Sequence, residues 1–341
     1  MRHVGFVIAC LWLSAVSYAV QAAVTVKVCG QNLQNYYYNY TESSRPSYTN
    51  EAGFLQKTNR IVNAVLTIDA DIYAFCELEG TPDILDHLVT YLNTAAGVAN
   101  RYAAVADGIQ GVNDSYDNNL KSGFVYRTDR VRPYGSNTAA STATYYKNVM
   151  RIQAFEELTT RERFVLSMNH FKAKDSSADQ GDAKRQTNAN NLVRALKRIT
   201  TDPDILVLGD LNCEYGETPI SIIINAGYEE QLLRFDSTAY SYCYNSGELI
   251  DHVLANASMR AQVTDAYVYH NCTYRCNSRI RNSYSDHDPY VVTLSLGAAG
   301  TDLQSPTETA HPAAYKTIEQ GRLIIILPDG SKYSVTGTRI H

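Results

Sequence analysis

The sequence predicts an α/β protein whose core is formed by two β-sheets with helices on the outside. Strand-like apolar runs alternate with amphipathic helix-like runs along most of the 341 residues, and 45% of all residues are hydrophobic, enough for a sizeable core. Several predicted strands follow one another with no helix between them, which does not suit a purely parallel βαβ fold. We therefore predict mixed or antiparallel sheets rather than one doubly wound parallel sheet.

Each predicted element rests on its hydrophobic periodicity. In the first helix, Phe54, Ile61 and Val65 fall on one face, and similar spacing marks three further helices. The predicted helices are 54–68, 84–92, 183–199 and 219–225. The predicted strands are 24–29, 71–77, 102–106, 122–127, 163–170, 205–209, 249–255, 263–269 and 290–296.

The N-terminus has the pattern of an export signal. Arg2 and His3 precede an apolar run, 4–16, which is followed by small residues that end near Ala22. The apolar run is too short to favour a membrane anchor. We therefore predict a signal peptide, 1–22, and a secreted or periplasmic protein without stable membrane insertion.

The composition changes after Leu296. The segment 298–314 is rich in Gly, Ala, Ser, Thr and Pro, as expected of a linker. Beyond it, a Pro-Asp-Gly turn lies between two strand-like runs, so 315–341 is predicted to form a β-hairpin tail. The predicted main domain is 23–297.

The charge balance excludes a strongly basic nucleic-acid coat. The chain has 30 Lys and Arg against 35 Asp and Glu, a formal net charge of −5. Any phosphate recognition must therefore be local. The 26 tyrosines are compatible with stacking on bases, but tyrosine is also common at half-buried strand positions.

The cysteines allow disulfides. One of the 7 cysteines, Cys10, lies in the predicted signal, so six remain in the exported protein. An even number of cysteines in an exported protein is typical of disulfide pairing. Cysteines within apolar strands are instead expected to be buried thiols. The candidate pairs are Cys272–Cys276 and Cys213–Cys243, and the expected buried thiols are Cys29 and Cys76.

Two short segments carry most of the chemical information. In Leu208-Gly-Asp-Leu-Asn212, the side chains of Asp210 and Asn212 face the same way if the chain is extended. A carboxylate and an amide aimed at one point suit a metal-bound phosphate, although an Asx turn would use the same residues. In Ser285-Asp-His-Asp-Pro289, an aspartate can ligate a metal while the neighbouring histidine handles a proton.

Further polar residues lie at the ends of other predicted strands, and Asp251 begins or interrupts one. Asp251 would be costly to bury without a partner, for which a histidine is the natural choice, whereas its neighbour His252 is predicted to be an ordinary strand histidine. Glu77 and Asn32 each end an apolar run, where a cation or a phosphate could meet them. The segment 170–174 places a histidine and two lysines on one face if it is extended.

Together and in this order, these motifs resemble those of the endonuclease/exonuclease/phosphatase superfamily, the deoxyribonuclease I-like proteins. The resemblance covers roughly Val24 to Leu296, and the stretches 76–79 and 169–174 look most like the secreted bacterial nuclease branch. Cys76 departs from the pattern, since many members carry Gln there, but the following carboxylate is retained. The matching segments are 31–34, 71–77, 122–127, 169–170, 209–212, 250–251 and 285–287.

This resemblance implies a four-layer α/β sandwich, in which two packed, mixed or mostly antiparallel sheets are flanked by helices. It also implies a phosphoric ester hydrolase that depends on Mg²⁺ or Mn²⁺, with Ca²⁺ as a further candidate, and that uses water to attack phosphate. In this interpretation Asp251 orients His287 to take a proton from the water, a role that Asp210 could share, while His170 and Asn212 stabilise the phosphate. The implied metal ligands are Asn32, Glu77 and Asp286; the catalytic residues are His170, Asp210, Asn212, Asp251 and His287; the substrate-binding residues are Arg151, Lys172, Lys174, Arg279 and Arg281.

The substrate is less determined than the reaction. Export, the lysines of 170–174 and the arginines of 275–281 favour a monomeric endonuclease that acts on DNA, with RNA as a further substrate. A sphingomyelinase-like lipid phosphodiesterase is the main alternative, but no exposed apolar hairpin is evident inside the main domain. Other small phosphoesters stay open, and a non-catalytic binding module is remote because the polar set is complete.

Overall fold

Two six-stranded β-sheets packed face to face form the centre of the protein. A computed structural model describes residues 22–106, 120–143, 149–199, 201–243, 247–272 and 283–297, together with 315–319, 322–326, 331–334 and 339–340 of the tail. In chain order the strands are β1 (Val24–Tyr36), β2 (Ile72–Glu79), β3 (Tyr102–Ala104), β4 (Leu120–Arg127), β5 (Val131–Ala139), β6 (Met150–Glu157), β7 (Arg163–His170), β8 (Ile205–Asp210), β9 (Tyr228–Glu230), β10 (Tyr242–Cys243), β11 (Gly247–Glu248), β12 (Asp251–Asn256), β13 (Val263–Val268) and β14 (Tyr290–Leu296).

Six helices are described, of which the first four begin and end close to predicted positions and the last two, both short, were not predicted. They are α1 (Glu51–Ile68), α2 (Ile84–Ala96), α3 (Asp182–Leu196), α4 (Thr218–Asn225), α5 (Leu232–Phe235) and α6 (Ala257–Gln262), with a 3₁₀ turn at Tyr40–Glu42. Asn50 caps α1 by accepting a hydrogen bond from the Gly53 N–H, and Asp69 ends it in a left-handed conformation. Among the described residues, no helix has both the length and the apolar character that crossing a membrane requires.

Both sheets are mixed, as predicted. The first has the strand order β13-β14-β1-β2-β4-β3 and the second has the order β5-β6-β7-β8-β12-β9. Within them β1 runs parallel to β2 and β7 runs parallel to β8, whereas the other neighbouring strands pair antiparallel. Each parallel pair ends at one edge of its sheet, and this brings polar strand ends together there.

The layers confirm the predicted four-layer sandwich. Side chains such as Val28 and Ile72 of the first sheet pack between the sheets against Leu166 and Leu208 of the second. Helices α1 and α2 cover the outer face of the first sheet, and α3 and α4 cover that of the second. The polar strand ends are thus held by apolar layers on both sides.

Five strands of the main domain, β5, β6, β9, β10 and β11, are absent from the sequence prediction, and β5 and β6 are the longest of them. β6 is buried along its whole length although it carries charged residues, and its neighbour β5 contains a proline and a glycine. Glu156 of β6 is buried because Arg132, Arg161 and Arg163 surround its carboxylate at 2.7–3.2 Å. Ion pairs with arginines of both neighbouring strands and of the turn after β6 therefore permit a buried strand whose own sequence looks polar.

The cysteine pairings proposed from the sequence are wrong. Cys213 and Cys272 are free buried thiols, as are Cys29 and Cys76, which were expected to be so. The Cys213 sulfur lies 3.1 Å from the Leu211 carbonyl oxygen. The Cys272 sulfur donates to the Ser285 carbonyl oxygen at 3.3 Å and accepts from the Ser285 N–H at 3.1 Å, so it fixes the segment before β14 without a covalent bond.

The tail has more strands than the predicted hairpin. β16 (Arg322–Ile326) and β17 (Lys332–Ser334) form that hairpin, with Ile324 opposite Ser334. β15 (Tyr315–Glu319) and β18 (Arg339–Ile340) flank it, which makes a four-stranded antiparallel sheet. The predicted signal, 1–22, falls almost wholly outside the described residues, and the predicted linker, 298–314, falls entirely outside them.

Candidate active site

The ends of β1 and β2 place Asn32 beside Glu77. Parallel pairing aligns Asn32 with Cys76, and a bulge in β2 leaves Glu77 in a left-handed conformation with φ of 54°. The Asn32 amide nitrogen donates to Glu77 Oε1 at 3.0 Å and to Asp210 Oδ2 at 3.0 Å. A single amide therefore connects the polar edges of the two sheets.

The ends of β7 and β8 place His170 beside Asp210. Gly209 of β8, which pairs with Asn169 of β7, has φ of 140°, and a Cβ at this position would lie 1.9 Å from the Asn169 carbonyl oxygen. Only glycine permits this close approach. As a result, the His170 Nε2 atom lies 3.7 Å from Glu77 Oε1 and 3.7 Å from Asp210 Oδ2.

The start of β12 and the segment before β14 complete the arrangement. Antiparallel pairing sets Asp251 opposite Asp210. Asp251 has the histidine partner expected for it, because its Oδ2 atom lies 2.6 Å from His287 Nδ1, and it also accepts from the Ser241 hydroxyl at 2.7 Å. The other ring nitrogen of His287, Nε2, lies 3.7 Å from Asp210 Oδ2. Three carboxylates and two histidines thus converge where the two sheets meet.

Comparison with known proteins identifies the fold. No protein-family model and no curated protein matches the chain. Solved structures do match: a Bacteroides thetaiotaomicron endonuclease/exonuclease/phosphatase family protein has 17% identity and a TM-score of 0.57 over 81% of this chain and 99% of that one. The chain has the endonuclease/exonuclease/phosphatase fold.

Two further structures share this fold. The Bacteroides thetaiotaomicron mannosyl-6-phosphatase Bt3783 has 16% identity and a TM-score of 0.54 over 78% of this chain and 98% of that one. The human Nocturnin catalytic domain with bound sulfate has 15% identity and a TM-score of 0.56 over 80% and 93%. The predicted endonuclease/exonuclease/phosphatase fold is therefore confirmed, while the secreted nuclease branch stays a prediction.

Electrostatics at the polar edge of this endonuclease/exonuclease/phosphatase fold couple the acidic and basic groups. Burial disfavours charge on His287, but the carboxylates of Asp251, Asp210 and Asp286 outweigh it and raise the pKa of His287 well above its usual value. Burial raises the pKa of the Asp210 carboxyl, against the opposing charges of His287 and His170. The two groups therefore titrate as one unit.

The residues present fit a divalent cation. Ligand atoms of Glu77, His170 and Asp210 lie within 4.8 Å of one another. Burial raises the pKa of Asp286, and the charge of Glu77 raises it further, so a cation near both carboxylates would relieve their repulsion. Asn32 differs from the predicted ligand in that its nitrogen faces the carboxylates, while its oxygen accepts from the Gln34 N–H at 2.8 Å.

Asn212 and Arg151 lie on the second sheet's side of the site. The Asn212 N–H donates to Asp210 Oδ1 at 2.9 Å, and its amide nitrogen donates to the Phe171 carbonyl oxygen at 3.2 Å. Arg151 pairs across the strands with Met168, two residues before His170, so its side chain starts from the same face of the sheet as His170. It is buried, with Nη2 3.2 Å from Asn137 Oδ1.

The predicted substrate-binding lysines lie at the rim after β7. Lys172 pairs with Asp175 at 3.1 Å and Lys174 pairs with Glu217 at 3.5 Å, and both side chains are partly exposed. Exposed pairs of this kind are weak, so a phosphate can replace the carboxylate. Arg279 and Arg281 lie outside the described residues.

Several supporting residues were not predicted from the sequence. Ser241 holds Asp251, and it lies in a Tyr- and Ser-rich stretch that has no motif. Gln31 donates to the His287 carbonyl oxygen at 3.0 Å and accepts from the Tyr284 hydroxyl at 3.0 Å. The Ser285 hydroxyl donates to the Asn32 carbonyl oxygen at 2.6 Å. These bonds attach the histidine-bearing segment to β1.

Proposed function

We propose that the protein is a secreted, metal-dependent phosphodiesterase that hydrolyses DNA endonucleolytically, with RNA as a further substrate. The observation that carries the proposal is the convergence of Glu77, His170, Asp210 and the Asp251–His287 pair at the edge where the two sheets meet. The mannosyl-6-phosphatase among the structures with this fold supports the broader assignment as a phosphoesterase.

Glu77 and Asp286 would hold the metal, for which Mg²⁺ or Mn²⁺ is proposed, with Ca²⁺ as a further candidate. When bound, such an ion polarises the phosphoryl oxygen and stabilises the departing oxygen. His287 Nε2 and Asp210 Oδ2, 3.7 Å apart, form one acid–base unit that receives the proton of the attacking water. Asp251 fixes the ring of His287 through Nδ1, so that Nε2 is directed into the site.

The groups that stabilise charge lie on the other side of the phosphate position. His170 lies near both Glu77 and Asp210 and is placed to donate to a phosphoryl oxygen through Nε2. Asn212, in the turn after β8, and Arg151, on β6, are proposed to assist it. Charge develops on these oxygens as the water attacks, so donors fixed by burial favour the transition state.

Local positive charge supports a nucleic acid as the substrate. Lys172 and Lys174 lie at the rim, and Arg279 and Arg281 belong to the segment just before the histidine motif. Since the net charge is −5, binding should be weak and sensitive to salt. A sphingomyelin-type lipid and small phosphoesters are the competing substrates.

The decisive experiment incubates the full chain with supercoiled plasmid in Mg²⁺ and in EDTA, with sphingomyelin and a sugar phosphate assayed in parallel. The Asp210→Asn variant should lose nicking, whereas Asp265→Asn, which changes an exposed aspartate on β13, should retain it. Turnover of lipid or sugar phosphate without nicking would reassign the substrate. Turnover of none of the three would argue against the proposal as a whole.

A further inference from the structure

A polar pocket beside the candidate active site has two cationic residues in its lining. Its volume is about 350 Å³, and it lies between the N-terminal half of α1, the loop before that helix and the segment 283–284. Lys57 and Arg60 supply the charge, and no acidic residue occurs among the described residues that line it. In a chain of net charge −5, such a cavity is a local site of positive potential and favours an anion.

Lys57 is the buried cation of this pocket. Its side chain is only 6% exposed, and its ammonium donates to the Gln34 carbonyl oxygen at 2.6 Å. An ammonium group has three N–H donors, so two remain for a ligand. Burial lowers the pKa of Lys57 to about 8, an effect that the nearby charge of Glu77 opposes. An anion in the pocket would compensate the desolvation of this charge.

The pocket walls are fixed before any ligand binds. The Tyr48 hydroxyl accepts from the Tyr37 N–H at 2.7 Å and donates to the Tyr37 carbonyl oxygen at 2.6 Å, which anchors the loop before α1. A Cβ on Gly53 would lie 2.7 Å from Tyr48 Cβ, so this loop packs directly on the helix. On the opposite wall, Arg60 donates to the Ser283 carbonyl oxygen at 2.7 Å.

The same walls also border the proposed metal site. Gln34, which accepts from Lys57, donates its N–H to Asn32, and the next residue, Asn35, donates its N–H to Glu77 Oε2 at 3.0 Å. On the other side, Tyr284 lies two residues before Asp286. The pocket-lining residues Gln34 and Tyr284 are therefore within two residues, along the chain, of Asn35, which contacts Glu77, and of Asp286.

We infer that this pocket binds a second phosphate of the substrate strand, one that is not cleaved, through Lys57 and Arg60. The inference rests on the proposed function, because only a substrate with several linked phosphates can occupy the pocket and the active site together. A polynucleotide meets this condition, and a single small phosphodiester does not. The pocket would then favour nucleic acid strands over small phosphoesters.

The test compares Lys57→Gln and Arg60→Gln with Lys184→Gln, a control that removes an exposed lysine of α3. The substrates are a short single strand of DNA and bis(p-nitrophenyl) phosphate, which has one phosphate. Each pocket variant should raise KM for DNA about 10-fold, because a charge-assisted hydrogen bond is lost, and should weaken the salt dependence of KM. Turnover of the small diester should stay within about twofold of wild type.

Other outcomes separate the pocket from the proposed function. If the pocket variants reduce kcat for both substrates alike, Lys57 and Arg60 only support the metal site and the inference is wrong. If wild-type protein cleaves the small diester but not DNA, the proposed nuclease function fails, and binding of inorganic phosphate in EDTA then decides whether the pocket takes an anion. If Lys57→Gln does not fold, KM for DNA and turnover of the small diester are compared for Arg60→Gln instead. Arg60→Lys then serves as the variant that retains the charge.

Discussion

Two carboxylate–histidine pairs lie on opposite faces of β12, and only one of them faces the candidate active site. Asp251 and His252 are adjacent in the strand, so their side chains point to opposite faces of the sheet. Asp251 binds His287 at 2.6 Å between the two sheets. On the other face, His252 binds Glu230 of β9 at 2.8 Å.

The pairs differ in what the second ring nitrogen does. His252 Nε2 donates to the Cys213 carbonyl oxygen at 2.8 Å, because a carbonyl oxygen can only accept, and Nδ1 faces the Glu230 carboxylate, which raises the pKa of the ring. In its charged form both nitrogens of this buried ring act as donors. His287 Nε2 instead lies 3.7 Å from Asp210, beyond hydrogen-bond distance, at the edge that holds Glu77 and His170. Burial and a carboxylate partner are therefore common to both histidines, and of the two only His287 has a ring nitrogen available to a substrate, as the proposed acid–base role requires.

The largest effect is expected from His287→Asn. Turnover should fall about 10³-fold, within the range for a lost acid–base group, while the folded structure persists because an amide can still donate to Asp251. The measurement is kcat for phosphodiester hydrolysis in Mg²⁺, with thermal unfolding as the check on folding. Near wild-type turnover would remove His287 from the mechanism and with it the distinction between the two pairs.

His252→Leu should instead affect stability. Removing this ring leaves the Glu230 carboxylate buried without its cation, which should lower the free energy of unfolding by about 3–5 kcal/mol. Urea denaturation measures the loss, and turnover per folded molecule should change little. Adding Glu230→Gln should recover part of the stability, because Oε1 can still accept from the Leu232 and Val253 N–H groups once the charge is gone.

Asp251→Asn should have an intermediate effect on activity, a loss of about 10- to 100-fold, because in the proposed mechanism Asp251 positions His287 and does not touch substrate. A readout specific to this role is the pH profile. Asp251 helps to raise the pKa of His287, so the substitution should lower that pKa and shift the limb of the rate profile that reports His287 toward lower pH. A loss of rate with an unchanged profile would indicate a merely structural role.

The sequence predicted Asp251 and His287 as site residues, but it did not predict the residues that surround either carboxylate–histidine pair. Asp251, His287, Asp210 and Glu77 were predicted because each lies within or beside an apolar run that periodicity reveals, and because their order along the chain resembles that of a known family. Ser241 was not found, because its role exists only once the chain brings it beside β12.

Contacts between elements also explain why β6 and the free thiols of Cys213 and Cys272 were not predicted. Strand β6 looked polar because the arginines that neutralise Glu156 are supplied by other segments. The disulfide prediction failed for a related reason. Even cysteine counts indicate compartment rather than distance, and Cys213 and Cys272 are buried as thiols whose partners are backbone oxygens.

The smallest effect expected concerns the pH dependence of the structural pair. Burial disfavours charge on His252, but Glu230 outweighs it and raises the pKa of His252 above 6.5 in the folded state. A raised pKa stabilises the fold fully below the unfolded value, and this stabilisation falls as the pH rises through the folded value. The difference in unfolding free energy between wild type and His252→Gln should therefore shrink from pH 6 upward, with a slope of at most about 1.4 kcal/mol per pH unit. Urea denaturation across this pH range measures that difference. If the difference instead grows with pH, His252 is neutral in the folded protein. Its two ring nitrogens would then not both be donors, and the contrast drawn between His252 and His287 would fail.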